Sequence, residues 1–230
     1  MSIWGKTYKN LIIKSDFRVH EKVGKILNQI QPDGLQILDI ATGNGALAER
    51  VFDTFPKSKI DINDYEKESE FNKYRNIFHV DLNEDFTKNF ARYDCILAIE
   101  IIEHLQNPWH FISNLKKLIS DNGFIILSTP NTDSFIDRLH FLIEGNSFYF
   151  GEAGYEKSGG HITQVPDWLI QKIVDQNGMV IAERSFVDTS PHFGKKKFLL
   201  SMILYPIYKI FSKRKNNRSI NIYVLRNQSK

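Results

Sequence analysis

Residues 36–50 constrain the fold of this chain more than any other stretch, because they join a buried strand to a glycine turn and a helix. A mainly apolar run over 37–40 is typical of a strand in a parallel sheet. Gly43 and Gly45 mark the turn, and helical spacing resumes at Ala46. This order brings backbone N–H groups to the carboxyl end of the strand, where α/β sheets bind their ligands.

Polar side chains also follow the later strands of the pattern. Strands are predicted at residues 36–40, 59–63, 76–80, 93–99, 123–128, 179–186 and 219–225. Asp64 closes the second strand, 19 residues after Gly45, and Asp81 closes the third. A carboxylate at the position of Asp64 can accept hydrogen bonds from both hydroxyls of a ribose. The sequence therefore predicts that a ribose-containing ligand binds at this edge of the sheet.

Strand and helix signals alternate up to residue 130, which is the βαβ pattern of a parallel sheet. The length favours one domain, 1–230, in which residues 1–34 are interpreted as an N-terminal helical cap. The aromatic-rich segment 131–160 follows the fifth strand and is interpreted as an inserted lid over the ligand end of the sheet. Residues 195–215 form a separate apolar segment with basic flanks.

Composition and charge indicate which kinds of partner and which cell compartment suit this protein. The net charge of +3 is small, so it does not favour nucleic acid as a partner. Cys95 is the single cysteine and lies in an apolar strand, which excludes a disulfide within one chain. Residues 1–6 show no apolar stretch of a cleavable signal. These features predict a cytoplasmic protein in a reducing compartment.

The motifs together resemble those of the class I S-adenosylmethionine-dependent methyltransferases. They match that family in order and at about its spacing, and they are Asp39-x-x-x-Gly43-x-Gly45, Asp64, Asp81-Leu82 and residues 100–105. The family has glycine or cysteine where Ala41 and Thr42 stand, and small residues there should still permit the turn. The resemblance implies a Rossmann-like, mostly parallel, seven-stranded sheet with helices on both faces and an antiparallel last strand.

A nicotinamide-binding dehydrogenase is the main competing fold assignment, because its G-x-G-x-x-G fingerprint tolerates Ala48 at the last position. Asp39 before the turn and the motif at 100–105 are features that dehydrogenases do not need. These two features favour the methyltransferase assignment.

The resemblance implies S-adenosyl-L-methionine as cofactor and S-adenosylhomocysteine as product. The predicted cofactor-binding residues are Asp39, Ala41, Gly43, Gly45, Asp64, Tyr65, Asp81, Leu82, Ala98 and Ile99. Asp64 would hold the ribose hydroxyls, and Asp81 would accept from the adenine amino group. Asp39 would orient the turn or reach the amino group through water.

Glu100, Glu103 and His104 follow the fourth strand and are the predicted catalytic residues. If a helical turn begins at Glu100, all three share one face. With the distant His161 they resemble the metal ligands of the ubiquinone-biosynthesis O-methyltransferases and of small-RNA 3′-terminal 2′-O-methyltransferases. That resemblance implies a divalent cation, Mg²⁺ or Mn²⁺, held by these four residues. Without a cation, His104 would be a general base or would orient the acceptor.

The predicted activity is O-methylation of a small molecule, a saccharide or a lipid-linked acceptor. The alternatives are an RNA 2′-O-methyltransferase and a catalytically silent, cofactor-binding subunit. Two interpretations of residues 195–215 also stay open. Basic flanks around an apolar helix are typical of peripheral attachment to an anionic membrane, and the same helix could instead pack against the rest of the domain.

Overall fold

The computed structural model describes residues 7–30, 33–65, 74, 76–157, 160–188, 195–212 and 218–228. The β-strands in these ranges are β1 Thr7–Tyr8, β2 Leu11–Ile12, β3 Gln36–Ile40, β4 Lys59–Asn63, β5 Ile77–Phe78, β6 Tyr93–Ile99, β7 Ile119–Pro130, β8 Met179–Val187 and β9 Ile220–Asn227. The α-helices are α1 Phe17–Ile30, α2 Ala46–Thr54, α3 Pro108–Leu118, α4 Phe135–Glu144, α5 Glu152–Lys157, α6 Asp167–Gln176 and α7 Lys195–Phe211.

Seven strands form one sheet in the order β5-β4-β3-β6-β7-β9-β8. The first five in this order are parallel to one another, and β9 inserts antiparallel between β7 and β8. The order places β3 third, beside the central strand β6, with the glycine turn at its carboxyl end. The predicted Rossmann-like sheet with an antiparallel last strand is confirmed.

Alternating side chains of the central strands enter two separate cores. Ile37 faces the core formed with α1 and α2, where Val19 and Val51 are buried. Leu38, the next residue, faces the opposite core, formed with α3 and α6. A strand buried on both faces needs this near-continuous apolar run. The two cores fix the sheet between helices and hold its carboxyl edge in place.

The third predicted strand is shorter than residues 76–80. It pairs with β4 only through Ile77 and Phe78. Beyond them, the backbone N–H of Val80 donates to the side chain of Asn63 at 3.0 Å. The chain therefore leaves the ladder after Phe78, at the edge of the sheet beside β4.

The segment after β7 contains α4 and α5. α4 begins at a cap in which the Ser134 side chain accepts from the backbone N–H of Asp137. The Asp137 carboxylate accepts from the Ser147 hydroxyl and from the backbone N–H of Phe148, both at 2.7 Å. These bonds tie α4 to the loop that follows it. Residues 1–6, 31–32, 158–159 and 213–217, which belong to the predicted cap, lid and apolar segment, lie outside the described residues.

Candidate active site

The turn after β3 has a left-handed backbone at three positions. Ala41 has φ 62°, Gly43 φ 60° and Gly45 φ 82°. Glycine adopts this conformation without strain, whereas alanine there costs about 1 kcal/mol or more. The expectation that a small residue permits the turn at position 41 therefore holds, with alanine in a strained conformation. The Asp64 carboxylate accepts from the backbone N–H of Gly43 at 2.6 Å, so the end of β4 braces the turn.

We expect Gly43→Ala to destabilise the protein by about 1–2 kcal/mol, because alanine is strained at this φ. Its Cβ would also meet Cδ of Lys14 at 3.1 Å. Gly24→Ala in α1 is the matched control, since nothing lies within 4 Å of a Cβ there. It should raise the unfolding free energy by up to about 1 kcal/mol. Urea denaturation measures the unfolding free energy of both variants. Equal changes would contradict the prediction that alanine is strained at position 43.

A cavity of about 350 Å³ opens beside the turn. Its lining residues are Ala41, Asn63, Asp64, Tyr65, Val80, Asp81, Leu82, Asn83, Ile101 and Leu105. Half of these were predicted from the cofactor motifs. The other lining residues were missed, although each adjoins a predicted site residue in the chain, and they are Asn63, Val80, Asn83, Ile101 and Leu105. The carboxyl ends of β3 and β4 and the loop after β6 thus converge on one polar and apolar cavity.

The Asp81 carboxylate is held by its own loop. It accepts from the backbone N–H of Asn83 at 2.8 Å and from the Asn83 side-chain amide at 3.1 Å. Both bonds go to Oδ1. Such a local turn orients the side chain at the mouth of the cavity. Asp81 and Asp64 therefore present two carboxylates to the same space.

Asp39 is buried behind the turn. Its carboxylate accepts from the Thr42 hydroxyl at 2.6 Å, and burial raises the pKa of Asp39 to about 7, with the Asp64 charge adding to the effect. Ala98 and Ile99 are buried at the end of β6. Gly45 accepts a long hydrogen bond from the Tyr74 hydroxyl at 3.4 Å through its carbonyl.

The loop after β6 does not continue as the regular helical turn that the shared-face argument needs. Glu100 has a left-handed φ of 51°, and a 3₁₀ turn then spans Ile102–His104. The Glu100 carboxylate accepts from the Ser128 hydroxyl at 2.7 Å, and its backbone N–H donates to the same oxygen at 3.0 Å. Burial raises the pKa of Glu100 to about 7. This arrangement directs Glu100 toward the end of β7.

Three of the four predicted metal ligands lie together. Glu103, His104 and His161 each offer one ligand atom, and these atoms all lie within 4.8 Å of one another. Within the described parts of the chain, Glu100 does not join this group. The left-handed residue at the start of the loop is the physical reason, because it breaks the helical register between Glu100 and Glu103.

His161 is oriented by the backbone around it. Its Nδ1 donates to the carbonyl of Tyr149 at 3.1 Å, which leaves the lone pair of Nε2 facing Glu103 Oε1 at 3.9 Å. The backbone N–H groups of Ile162 and Thr163 both donate to the Glu103 carbonyl at 3.0 Å. Burial lowers the pKa of His161 to about 4, and His104 adds to the effect. The imidazole is therefore neutral at physiological pH.

The Glu103 carboxylate is fully buried and only half satisfied. Oε2 accepts from the Thr129 hydroxyl at 3.0 Å, whereas Oε1 is buried without a hydrogen-bond partner. Burial raises the pKa of Glu103 well above its usual range, and the Glu100 charge acts in the same direction. A buried polar atom without a partner costs free energy, so it indicates a missing ligand or proton.

The sequence matches the methyltransferase domain family over residues 16–181. The mitochondrial ubiquinone biosynthesis O-methyltransferase of Dictyostelium discoideum is 30% identical over 130 residues, which cover 49% of this chain and 40% of that protein. The ubiquinone biosynthesis O-methyltransferase of Rickettsia akari is 34% identical over 102 residues, covering 42% of this chain and 41% of that protein. The chain thus matches about two fifths of the length of these relatives.

A solved structure shares the architecture. The magnesium protoporphyrin IX methyltransferase of Synechocystis PCC 6803, solved with bound S-adenosylhomocysteine, has a TM-score of 0.61 and 16% identity. The match covers 92% of this chain and 83% of that one. At this identity the likeness shows the fold. Together with the family match and the strand order, it shows that the chain belongs to the class I S-adenosylmethionine-dependent methyltransferases.

Proposed function

We propose that this enzyme methylates a hydroxyl oxygen on a small molecule, a saccharide or a lipid-linked acceptor. The observation that carries the proposal is the group of Glu103, His104 and His161 within 4.8 Å, beside the cofactor cavity. The loop that bears Glu103 and His104 also contributes Ile101 and Leu105 to that cavity. Names of the matched relatives describe O-methylation, which supports the choice of oxygen.

The cofactor would lie along the turn after β3. Asp64 would accept from the ribose hydroxyls and Asp81 from the adenine amino group, with Tyr65 and Leu82 beside the ring. Gly43 and Gly45 would lie along the ribose and methionine portion, and Ala98 and Ile99 at the end of β6. When bound, the cofactor supplies a methyl group on a positively charged sulfur.

His104 would act on the acceptor hydroxyl. Its ring lies 4.7 Å from that of His161, between centroids. The acceptor oxygen would take the methyl group that the cofactor supplies, with S-adenosylhomocysteine as the leaving group. If His104 holds no cation, the hydroxyl proton would pass to its imidazole, which requires this ring to be neutral beforehand.

The three clustered residues fit a divalent cation. Two imidazole nitrogens and one carboxylate oxygen form a mixed donor set, which suits Mn²⁺ better than Mg²⁺. The unpartnered Oε1 of Glu103 and the Nε2 lone pair of His161 would be its natural donors. The hydrogen bond from His161 Nδ1 to a carbonyl is the usual support of a metal-bound histidine. A cation held here would lower the pKa of an acceptor hydroxyl beside a second oxygen.

Two segments would cover the site. In the N-terminal cap, Lys14 packs against Gly43, and the charge of Asp16 acts on Glu100. In the lid at 131–160, Phe150 packs against the His161 ring with centroids 5.4 Å apart. We propose that these segments enclose the acceptor and that residues 1–230 act as one domain.

The test is methyl transfer from labelled cofactor to two matched acceptors, one with two neighbouring hydroxyls and one with a single hydroxyl. We expect a methyl ether from the first, identified by mass spectrometry, with transfer lowered by a chelator and restored by Mn²⁺. If transfer to the single hydroxyl is equal and the chelator has no effect, a role of the cation in the reaction is excluded. His104 would then act as the base. Methylation only on nitrogen or carbon would overturn the proposal.

Cation binding can be tested separately from activity. We expect His161→Ala and Glu103→Gln to lower Mn²⁺ affinity at least tenfold, roughly, because each removes a ligand. Glu100→Gln is the matched control and should leave the affinity unchanged, since Glu100 stands outside the cluster. Calorimetric titration with Mn²⁺ measures all three. If Glu100→Gln lowers the Mn²⁺ affinity as much as the other two variants, Glu100 is a ligand too, as the sequence predicted.

A further inference from the structure

Charge is strongly segregated along the sequence. Residues 189–230 contain ten Lys and Arg and no Asp or Glu, which leaves residues 1–188 with a net charge of −7. The small overall charge of +3 therefore conceals a basic C-terminal part. Such a cationic region favours a partner with a negative surface.

The helix α7 lies in this basic region and is apolar on nearly every side. Half or more of the surface of six large apolar side chains is exposed, and these are Leu199, Met202, Ile203, Ile207, Ile210 and Phe211. A helix that is apolar all round is normally buried in a protein or a membrane. Exposed apolar surface of this extent marks an interaction site.

α7 is attached to the domain through α4. Tyr205 and Tyr208 pack against Phe135, with ring centroids 5.2 and 4.9 Å apart. At the other end of α4, the exposed fraction of the surface is 60% for Phe141 and 76% for Leu142. We call the exposed apolar side chains of α7 and of this end of α4 the docking face.

We infer that the docking face binds the surface of an anionic lipid bilayer. α7 starts with Lys195–Lys197 and carries Lys209 in its last turn, and Lys213–Lys215 are basic in the sequence beyond it. Apolar side chains entering the acyl boundary, with lysines at the headgroups, are the features of an interfacial helix. Among the described helices, none is long and apolar enough to cross a membrane.

The charge disfavours a second copy of this chain as the occupant. A symmetric dimer places the same patch of both subunits in contact. Two copies of α7, each with three lysines in its first turn by sequence and Lys209 in its last turn, would then be in contact, and like charges in an interface cost free energy. An anionic bilayer satisfies the apolar and the basic part of this surface together.

Flotation with vesicles tests the inference on the full chain and does not depend on the methyl acceptor. We expect binding to phosphatidylcholine vesicles that contain phosphatidylglycerol, weakened by high salt, and little binding to phosphatidylcholine alone. Ile210→Asn with Phe211→Asn should lower the partition coefficient at least tenfold, roughly. Both side chains are about four fifths exposed, at 78% and 80%, so the fold should be retained.

Two matched controls separate the docking face from general effects. Trp168→Asn removes a side chain that is 56% exposed on α6 and should leave binding unchanged. Lys209→Gln should weaken binding about fivefold, whereas Lys25→Gln on α1 should not. Circular dichroism and S-adenosylhomocysteine binding check that each variant is folded.

Three outcomes would overturn the inference. Absence of binding to anionic vesicles is the first, and equal binding by the wild type and the Ile210/Phe211 variant is the second. The third is a wild-type dimer that the same variant converts to a monomer without any vesicle binding, which would assign the face to a second copy. None of these outcomes bears on methyl transfer in solution.

Discussion

Asp64→Ala should lower the affinity for S-adenosylhomocysteine at least 100-fold, roughly. The ribose hydroxyls would lose a charged acceptor, and two charge-assisted hydrogen bonds are together worth about 3 kcal/mol or more. The substitution also removes the 2.6 Å bond from the Gly43 backbone N–H, so the turn loses its brace from β4. Calorimetric titration with S-adenosylhomocysteine measures the change.

Two variants separate ribose recognition from the general effect of charge. Asp85→Ala removes an exposed carboxylate that caps Thr87 outside the cavity, and its affinity should match the wild type. Asp64→Asn keeps one acceptor oxygen, so its affinity for S-adenosylhomocysteine should lie between those of the wild type and Asp64→Ala. Unchanged affinity in Asp64→Ala, with the protein folded, would refute the placement of the ribose at this residue.

His104→Ala should leave S-adenosylhomocysteine affinity within about twofold of the wild type and lower methyl transfer by about 100-fold or more. The cavity proposed for the cofactor is lined by Ile101 and Leu105 of the same loop but not by His104, so cofactor binding should survive. Single-turnover transfer, measured with saturating cofactor, reports the loss directly.

The control for this substitution is His110→Ala on α3. His110 contacts the Glu84 carbonyl and Asn114, away from the cluster, and transfer should persist. Mn²⁺ titration of His104→Ala then distinguishes the two proposed roles. Lost cation affinity identifies a ligand, and retained affinity with lost transfer identifies a base. Full transfer in His104→Ala would leave the residue with a structural role alone.

The succession of strands along the chain was predictable because its signals are local. Each strand is a short apolar run, and its end is marked by residues such as Gly43, Asp64 and Asp81. The bounds of α6, Asp167–Gln176, follow the same kind of local signal, with Pro166 before its start and Gly178 after its end. Such signals depend on neighbouring residues and need no knowledge of distant contacts.

The cavity lining was predicted only in part. Asn63 lies inside a predicted strand and Asn83 in the loop after Asp81, and nothing in their local sequence distinguishes them from other strand-end residues. Both line the cavity, and the Asn63 side chain accepts a hydrogen bond from the distant backbone N–H of Val80. A contact of this kind follows from packing and is absent from any periodic pattern.

The sequence by itself determined the class of fold, because glycine turns, strand ends and apolar periods follow from local chemistry. Its resemblance to a known family implied the cofactor and the candidates for catalysis. Only the tertiary structure decided which candidates meet. His161 reaches Glu103 through backbone bonds to its carbonyl, and Glu100 turns to Ser128 at a left-handed φ. Both results depend on groups far apart in the chain, whose positions are set by the packing of β7 and the lid against the sheet.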